Sequence, residues 1–341
     1  MELSEFYIPG GHHFFPVVSK YDDYLADIEK RPDYKAGDTL KLILPFLKAF
    51  GATDEGMRQF SREHILLVPG AEAALRDINN RMEAFIISTS YGPYIDALCD
   101  VVKFSKDRTY STQISLNKYL LEEKEKRKLI SLAKEIQEME MIEWAEGARV
   151  LSDLSERDKK KIQRLDQIFW EEIQGMAIGR VLVEVNPVGG KEKANAVLQS
   201  LKRTGNRLDE VFYVGDSITD VEAFDVVRRG GGMTLSFNGN RYALRSAEIA
   251  CLSPHASILA ILADAFRKGG GEGLLEMVEQ WSPHSLTSFG IDPELVQKVA
   301  STSSEGYPKV YRINDANRAK LIQESEIFRR QVRGVAIGSL G

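Results

Sequence analysis

The chain has 341 residues, of which 43% are hydrophobic and 28% are charged, a balance typical of a soluble globular protein. Its net charge of −5 argues against broad nucleic-acid binding, and the sequence contains neither an apolar run of membrane-spanning length nor a signal-peptide pattern. Cys99 and Cys251 are the only cysteines and lie far apart, which excludes a disulfide framework and a cysteine-based zinc site and indicates the reducing cytoplasm.

The amino-terminal part of the chain is predicted to form short helices. Leu40, Ile43 and Leu47 fall on one helical face within the region 21–64, and a further helix is predicted over 71–81.

Strands and helices alternate in two later regions. Residues 84–87 form a short apolar strand that is followed at once by Ser88, and a helix is predicted over 93–102. In the second region, strands over 211–214, 233–237 and 249–252 alternate with helices over 191–203, 219–228, 242–247 and 255–267. This alternation predicts an α/β fold with a Rossmann-like core, a parallel sheet and helices on both faces.

A highly charged helical stretch, 116–175, interrupts the alternation and is interpreted as an insertion. The residues Val181, Val183 and Val185 alternate, so 180–186 is either a strand or the end of a helix, and Gly269-Gly270-Gly271 is predicted to be a linker. The predicted organisation, in chain order, is an N-terminal remnant of the core (1–20), a helical cap (21–65), core (66–110), a helical insertion (111–185), core (186–265) and a helical tail (266–341).

The segment 211–220, Val-Phe-Tyr-Val-Gly-Asp-Ser-Ile-Thr-Asp, carries the strongest chemical signal. A buried strand that delivers acids at its carboxyl end is how an open α/β sheet builds a site. Asp216 and Asp220, with the Ser217 hydroxyl between them, suit a hard cation such as Mg²⁺, which prefers oxygen ligands. The alternative interpretation is a strand, a glycine turn and an aspartate helix cap, with no metal.

Two upstream residues match this segment in order and spacing. Ser88 follows a strand, where its hydroxyl and the next backbone N–H groups, beginning with that of Thr89, can hold a phosphate oxygen. Lys193 lies at the start of a helix, where its ammonium group can neutralise a transferring phosphoryl group. Taken singly, Ser88 is explained as well by a helix cap and Lys193 by a surface lysine, and Lys191 is a competing candidate.

The series of a strand with serine, a lysine at a helix start, and a strand with Gly-Asp-x-x-x-Asp resembles the haloacid dehalogenase superfamily of phosphohydrolases. Ser88 matches its second motif, Lys193 its third, and Asp216 with Asp220 its fourth. Phrases such as Tyr21-Asp22-Asp23-Tyr24-Leu25-Ala26 and Ile86-Ile87-Ser88-Thr89-Ser90-Tyr91 are similar to an archaeal family of this type, some of whose members are labelled energy-converting hydrogenase A subunit R.

The resemblance implies a small phosphorylated substrate, with Mg²⁺ held by Asp216 and Asp220 and phosphate bound by Ser88, Thr89 and Lys193. These residues would form the catalytic site together with an aspartate nucleophile. We expect no nucleic-acid partner and no insertion into a membrane, and the sequence does not indicate an oligomeric state.

The expected nucleophile motif, an apolar strand that ends in Asp-x-Asp or Asp-x-Glu, has no match in this sequence. Asp22 and Asp23 are the only acids near an early apolar run, and they continue into a helical pattern. We therefore expect a phosphohydrolase-type scaffold with little or no turnover, unless such a strand lies upstream. The alternative is a noncatalytic accessory protein, associated with an energy-converting hydrogenase complex.

Overall fold

The computed structural model describes residues 2–145, 147–301 and 308–338. Its first helices are α1 (Glu2–Tyr7), α2 (Gly11–Asp23), α3 (Thr39–Ala49), α4 (Asp54–Glu63) and α5 (Ala71–Asn79). The middle of the chain forms β1 (Ile86–Tyr91), α6 (Gly92–Val102), β2 (Thr109–Thr112), α7 (Glu123–Glu138), α8 (Glu156–Asp166), α9 (Val181–Glu184) and α10 (Lys191–Thr204). The remainder forms β3 (Phe212–Gly215), α11 (Val221–Arg229), β4 (Met233–Phe237), α12 (Arg241–Ser246), β5 (Ile249–Leu252), α13 (Ile258–Glu279), α14 (Pro283–Ser288), α15 (Pro293–Ser301), β6 (Lys309–Arg312) and α16 (Arg318–Gly338).

The strands of the described chain form two sheets. One contains β1 and β2 in parallel, and the other has the order β3-β4-β5-β6, in which only β6 is antiparallel to its neighbour. Helices α5 and α13 pack on one side of the second sheet, while α10 and α11 contribute a separate apolar cluster that includes Tyr213. The predicted α/β fold, with parallel strands and helices on both faces, is confirmed.

The amino-acid sequence explains why β4 and β5 lie at the centre of their sheet. Both are short runs dominated by apolar residues, and every residue in them is buried. Parallel strands covered by helices on both faces require such continuous apolar runs. β3 differs, because Val214 in its middle is 37% exposed although it lies in an equally apolar run.

A second hydrophobic core is built from helices alone. Phe46 packs edge to face against Phe14 and Phe169, with ring centroids 4.9 and 6.1 Å apart. The rings come from α3, from α2 and from a π-helical turn that continues α8. Residues from the regions predicted as cap (21–65) and insertion (111–185) share this core with residues near the amino terminus. The helical pattern over 116–175 is divided in the structure, because residues 139–155 separate α7 from α8.

Of the two alternatives for 180–186 the structure shows the helical one, because Val181 and Val183 lie in α9, where Val181 is buried and Val183 is 76% exposed. Three other predictions of local structure are wrong. The predicted glycine linker lies inside α13, which kinks at Gly270 (φ 62°). The predicted helical tail contains strand β6, which covers the outer edge of β5. Ser88 also lies inside β1 rather than after it.

The described helices include none that combines the length and apolar composition needed to cross a bilayer. The long helix α16 carries charged residues along its length.

The packing of α11 against β3 leads to the first prediction. The Phe224 side chain is fully buried and meets the Tyr213 ring edge to face at 5.5 Å. We expect Phe224→Ala to lower the free energy of unfolding by about 3–5 kcal/mol, because the cavity cannot collapse between a helix and a strand. Urea denaturation followed by circular dichroism measures the loss. Val183→Ala, at an exposed site, should change stability by less than about 0.5 kcal/mol; equal effects of the two substitutions would contradict the packing described.

Candidate active site

The loop after β3 folds around the carboxylate of Asp220. The backbone N–H groups of Asp216 and Ser217 donate to Asp220 Oδ2 at 3.0 and 3.1 Å. Gly215 permits this arrangement, because a β-carbon at that position would collide with the Asp220 side chain. The sequence pattern Gly-Asp-x-x-x-Asp therefore encodes a turn in which the second acid lies back against the first residues of the loop.

Asp220 also forms a buried ion pair with Lys193. The Lys193 ammonium group and the Tyr213 hydroxyl donate to Asp220 Oδ1, each at 2.8 Å. Lys193 is buried at the start of α10, whereas Lys191 is exposed, so the structure brings the first and not the second to this loop. Both carboxylate oxygens of Asp220 are engaged by donors, which makes this acid a positioning residue for the lysine and the loop.

Asp216 is paired with an arginine that the sequence did not point to. Arg329, which is 3% exposed, donates through Nη1 to Asp216 Oδ2 at 2.6 Å, to the Asp216 carbonyl at 3.3 Å and to the Asn238 carbonyl at 3.1 Å. It lies on one face of α16 with Leu321 and Ser325, at intervals of four residues, and all three are buried. That spacing is the only signal the sequence carries for Arg329, since it predicts a buried helix face but no particular partner.

Several buried polar atoms beside this pair lack a hydrogen-bond partner among the described residues. They are Ser236 Oγ, Asn240 Nδ2 and Arg329 Nε. The three residues belong to one neighbourhood, because Asn240 N donates to the Asp216 carbonyl at 2.9 Å and Ser236 adjoins Gly239. Buried polar groups without partners are costly in a folded protein and indicate a ligand or water position.

The hydroxyl residues of β1 reach the same edge through a chain of hydrogen bonds. Thr112 Oγ1 donates to the Thr89 carbonyl at 2.6 Å and accepts from Val188 N at 3.0 Å, and Gly190 N donates to the Thr219 carbonyl at 3.0 Å. The loop 187–190 therefore ties the carboxyl end of the first sheet to the Asp216–Asp220 loop of the second. Both sheets present their carboxyl ends to one common edge.

Ser88 meets this cluster only indirectly. It is half-buried within β1, and its hydroxyl oxygen accepts a hydrogen bond from Ser90 N at 3.2 Å. Thr89 is closer to the second sheet, because a β-carbon on Gly37 (φ 94°) would lie 2.8 Å from Thr89 Cγ2 and 3.2 Å from Thr219 Cγ2. The structure thus joins Lys193, Asp216 and Asp220 directly, and joins Ser88 and Thr89 to them through the loops around Gly37 and 187–190.

Asp22 holds a loop in place through hydrogen bonds. It lies in α2, fully buried, and accepts hydrogen bonds from Gly37 N and Thr39 N, each at 3.0 Å, and from the Tyr34 hydroxyl at 2.6 Å. Burial raises the pKa of Asp22 to about 7 and that of the adjacent Asp23 to about 6. Asp22 holds the loop that carries Gly37 against Thr89 and does not end a strand, as the nucleophile of the expected pattern would.

The predicted magnesium ligands are both engaged with cations. Asp220 is paired with Lys193 and Asp216 with Arg329. The described residues contain no group of three or more histidine, cysteine, aspartate or glutamate side chains that could hold a metal ion. Mg²⁺ could therefore bind Asp216 only in competition with the Arg329 guanidinium group, while Asp220 stays paired with Lys193.

The Lys193–Asp220 pair gives the second prediction. Lys193→Met leaves a buried carboxylate without its countercharge, and we expect a loss of about 3–5 kcal/mol in the free energy of unfolding. Adding Asp220→Asn should recover part of that loss, since the amide oxygen can still accept the hydrogen bond from the Tyr213 hydroxyl and no unpaired charge remains. Denaturant unfolding of the single and double variants measures the coupling. Lys191→Met is the matched control and should be nearly neutral; a neutral Lys193→Met would refute the buried pair.

Comparison with known proteins identifies the family of this chain. A family model described as haloacid dehalogenase-like hydrolase matches residues 77–255, more than half of the chain, a span that includes the five predicted site residues but not Arg329. Among solved structures, the chain is similar to the gene product AF1437 from Archaeoglobus fulgidus, with a TM-score of 0.75 and 26% sequence identity over 96% of this chain and 90% of that chain. No curated protein matches the chain significantly. The chain belongs to the haloacid dehalogenase-like hydrolases.

Proposed function

We propose that this protein binds a small phosphorylated molecule at the common edge of its two sheets and that the residues described here give little or no turnover. One observation carries the proposal. Both acids of the Gly-Asp-x-x-x-Asp loop are neutralised by buried cations, Lys193 and Arg329. The described residues also supply no carboxylate at the end of a strand next to Ser88.

The donors at this edge suit an oxyanion. Lys193 has three N–H bonds and uses one on Asp220, so the others can reach a phosphate oxygen. The Ser88 hydroxyl and the unpartnered groups Asn240 Nδ2 and Arg329 Nε add neutral and charged donors. Charge-assisted hydrogen bonds of this kind favour binding and stabilise charge that develops on a phosphoryl group.

Binding groups alone do not hydrolyse a phosphomonoester by the covalent route. That route needs a carboxylate to attack phosphorus and form an acyl phosphate, which water then cleaves. Asp216 is held by Arg329, Asp220 is held by Lys193 and by backbone N–H groups, and Asp22 holds a loop. Loss of a nucleophile removes most of the catalysis and leaves ligand binding in place.

The third prediction separates binding from turnover. We expect inorganic phosphate to bind, as measured by line broadening in ³¹P NMR, and Ser88→Ala to weaken binding about tenfold through loss of one hydrogen bond to a charged ligand. Hydrolysis of p-nitrophenyl phosphate with Mg²⁺ should stay at the rate of the uncatalysed control.

Ser105→Ala, an exposed serine on the loop after α6, is the control for the binding measurement. Hydrolysis that depends on Mg²⁺ and is abolished by Asp216→Asn would overturn the claim of low turnover. Equal phosphate affinity in wild type and Ser88→Ala would overturn the proposed phosphate site.

Magnesium binding is proposed as a competition with Arg329 for Asp216. When bound, Mg²⁺ would supply the positive charge that neutralises a phosphate oxygen, and Asp220 would keep its role of positioning Lys193. The Arg329 contact at 2.6 Å places a fixed cation on the carboxylate that the ion needs. Removal of that cation should therefore strengthen Mg²⁺ binding.

The fourth prediction tests this competition by calorimetric titration with MgCl₂. We expect Arg329→Gln to bind Mg²⁺ at least about tenfold more tightly than wild type, because one competing charge within 4 Å of the ligand has gone. Ser325→Ala is the control, since its hydroxyl fastens α16 to the Gly239 carbonyl at 2.6 Å without touching Asp216. Equal affinities in wild type and Arg329→Gln would contradict the competition.

A binding role without chemistry is the second candidate function. Resemblance to proteins labelled energy-converting hydrogenase A subunit R makes a hydrogenase complex the partner class for this candidate. The observation that favours a polypeptide partner is an apolar groove between the two sheets, lined by residues of β1 and β3. Co-purification of a defined hydrogenase subunit with the full chain would support the association.

A further inference from the structure

A basic pocket lies between the helical core and helix α12. Its volume of about 430 Å³ is in the range of pockets that hold a small organic ligand. Asp27 and Ile28, in the π-helical turn that continues α2, form one wall, residues of the segments 144–145 and 147–149 form the second, and α12 forms the third. The described lining shares no residue with the proposed phosphate site, although Arg241 follows Asn240 directly in the chain.

Bases outnumber acids among the charged residues of this pocket. The described lining contains one acid, Asp27, and the bases Lys30, Arg149, Arg241 and Arg245. The acid is already engaged, because Asp27 Oδ2 accepts a hydrogen bond from the Tyr242 hydroxyl at 3.0 Å. Such an excess of positive charge favours an anionic ligand and disfavours a cationic one.

Two of the bases, Lys30 and Arg149, are exposed and available to a ligand. Among the described residues, no carboxylate or other acceptor engages either side chain. Arg241 differs, because it is half-buried and interacts electrostatically with Asp23 and Glu326. Lys30 and Arg149 therefore keep all their side-chain donors for a ligand.

The second wall of the pocket is held in place by contacts outside it. Asp153 Oδ2 accepts hydrogen bonds from Arg149 N at 2.8 Å and from Val150 N at 3.2 Å, which fixes the backbone that carries the arginine. The Lys20 ammonium group lies 3.8 Å from the centroid of the Trp144 ring, which fixes that ring. A wall ordered in this way before a ligand arrives lowers the entropic cost of binding.

We propose that this basic pocket binds a small organic anion with two or more carboxylate or phosphate groups. Lys30 follows the first wall and Arg149 belongs to the second, so each can pair with a separate anionic group of the ligand. Trp144 and Ile28 line the same space and supply contact area for the carbon skeleton. The proposal does not depend on the phosphate site at the edge of the sheets.

Lys30 can be replaced without disturbing the backbone. Its φ angle of 52° is left-handed, and it lies just beyond the π-helical turn Tyr24–Ile28, where a helix end commonly carries glycine. Lys103 has a similar backbone, with φ 57° at the end of α6, and does not line the pocket. Lys30→Gly and Lys103→Gly therefore remove the same side chain from matched positions, and neither should lower the melting temperature.

The experiment titrates the full chain with citrate and, separately, with pyrophosphate, followed by calorimetry at low ionic strength. We expect at least one of them to bind at one site per chain, and the tighter of the two identifies the anionic group as carboxylate or phosphate. Added NaCl should weaken binding, because the contacts are ion pairs. Binding should also change the tryptophan fluorescence, and Trp144→Phe should remove that change. Binding of neither probe would overturn the proposal.

Lys30→Gly and Arg149→Gln should each weaken binding about tenfold through loss of a charged hydrogen bond, and Lys103→Gly should leave the affinity unchanged. Equal affinities in wild type, Lys30→Gly and Arg149→Gln would overturn the pocket, as would an equal loss in Lys103→Gly. Ser88→Ala should not alter this affinity, and Lys30→Gly should not alter binding of inorganic phosphate, so failure of one site is distinguishable from failure of the other. A loss in Ser88→Ala equal to that in Lys30→Gly would contradict a separate pocket.

Discussion

The carboxylate of Asp220 is the constraint on which the site depends. A buried ionised carboxylate is stable only when it is paired and hydrogen-bonded, and Asp220 accepts from Lys193, from Tyr213 and from two backbone N–H groups of its own loop. Those contacts determine the path of the loop after β3, the orientation of Asp216 and the burial of Lys193. Any use of Asp220 as a direct metal ligand would require several of these bonds to break.

The second ion pair makes the carboxyl-terminal helix part of the site. Arg329 balances Asp216 as Lys193 balances Asp220, so the four groups together carry no net charge. A phosphorylated ligand would therefore be bound by individual hydrogen-bond donors rather than attracted by the electrostatic field of a net positive charge. The helix also covers the outer part of the loops 238–240, where Ser325 donates to the Gly239 carbonyl.

Local patterns predicted most of the core and part of the site. The apolar runs of β4 and β5 and the Gly-Asp-x-x-x-Asp segment are encoded by neighbouring residues, and they were identified from periodicity and turn chemistry. The alternating valines Val181, Val183 and Val185 show the limit of such patterns, since so short an alternation fits a strand and the end of a helix equally. Local patterns did not predict Arg329 or β6, because the contacts of both are distant in sequence. Arg329 pairs with Asp216, which is 113 residues away, and β6 pairs with β5 although its surroundings have a helical pattern.

The edges of the two sheets are protected in different ways. The outer edge of β5 is covered by the antiparallel strand β6, the usual way in which a protein prevents unwanted pairing with other chains. The inner edges of β1 and β3 receive no such cover from a described strand, yet helices enclose them on both faces and leave access along the strand direction. An edge sheltered in this way is protected from nonspecific aggregation. The carboxyl ends of β1 and β3 meet at Thr89 and Thr219, so the enclosed space between the two strands ends beside the residues of the proposed phosphate site.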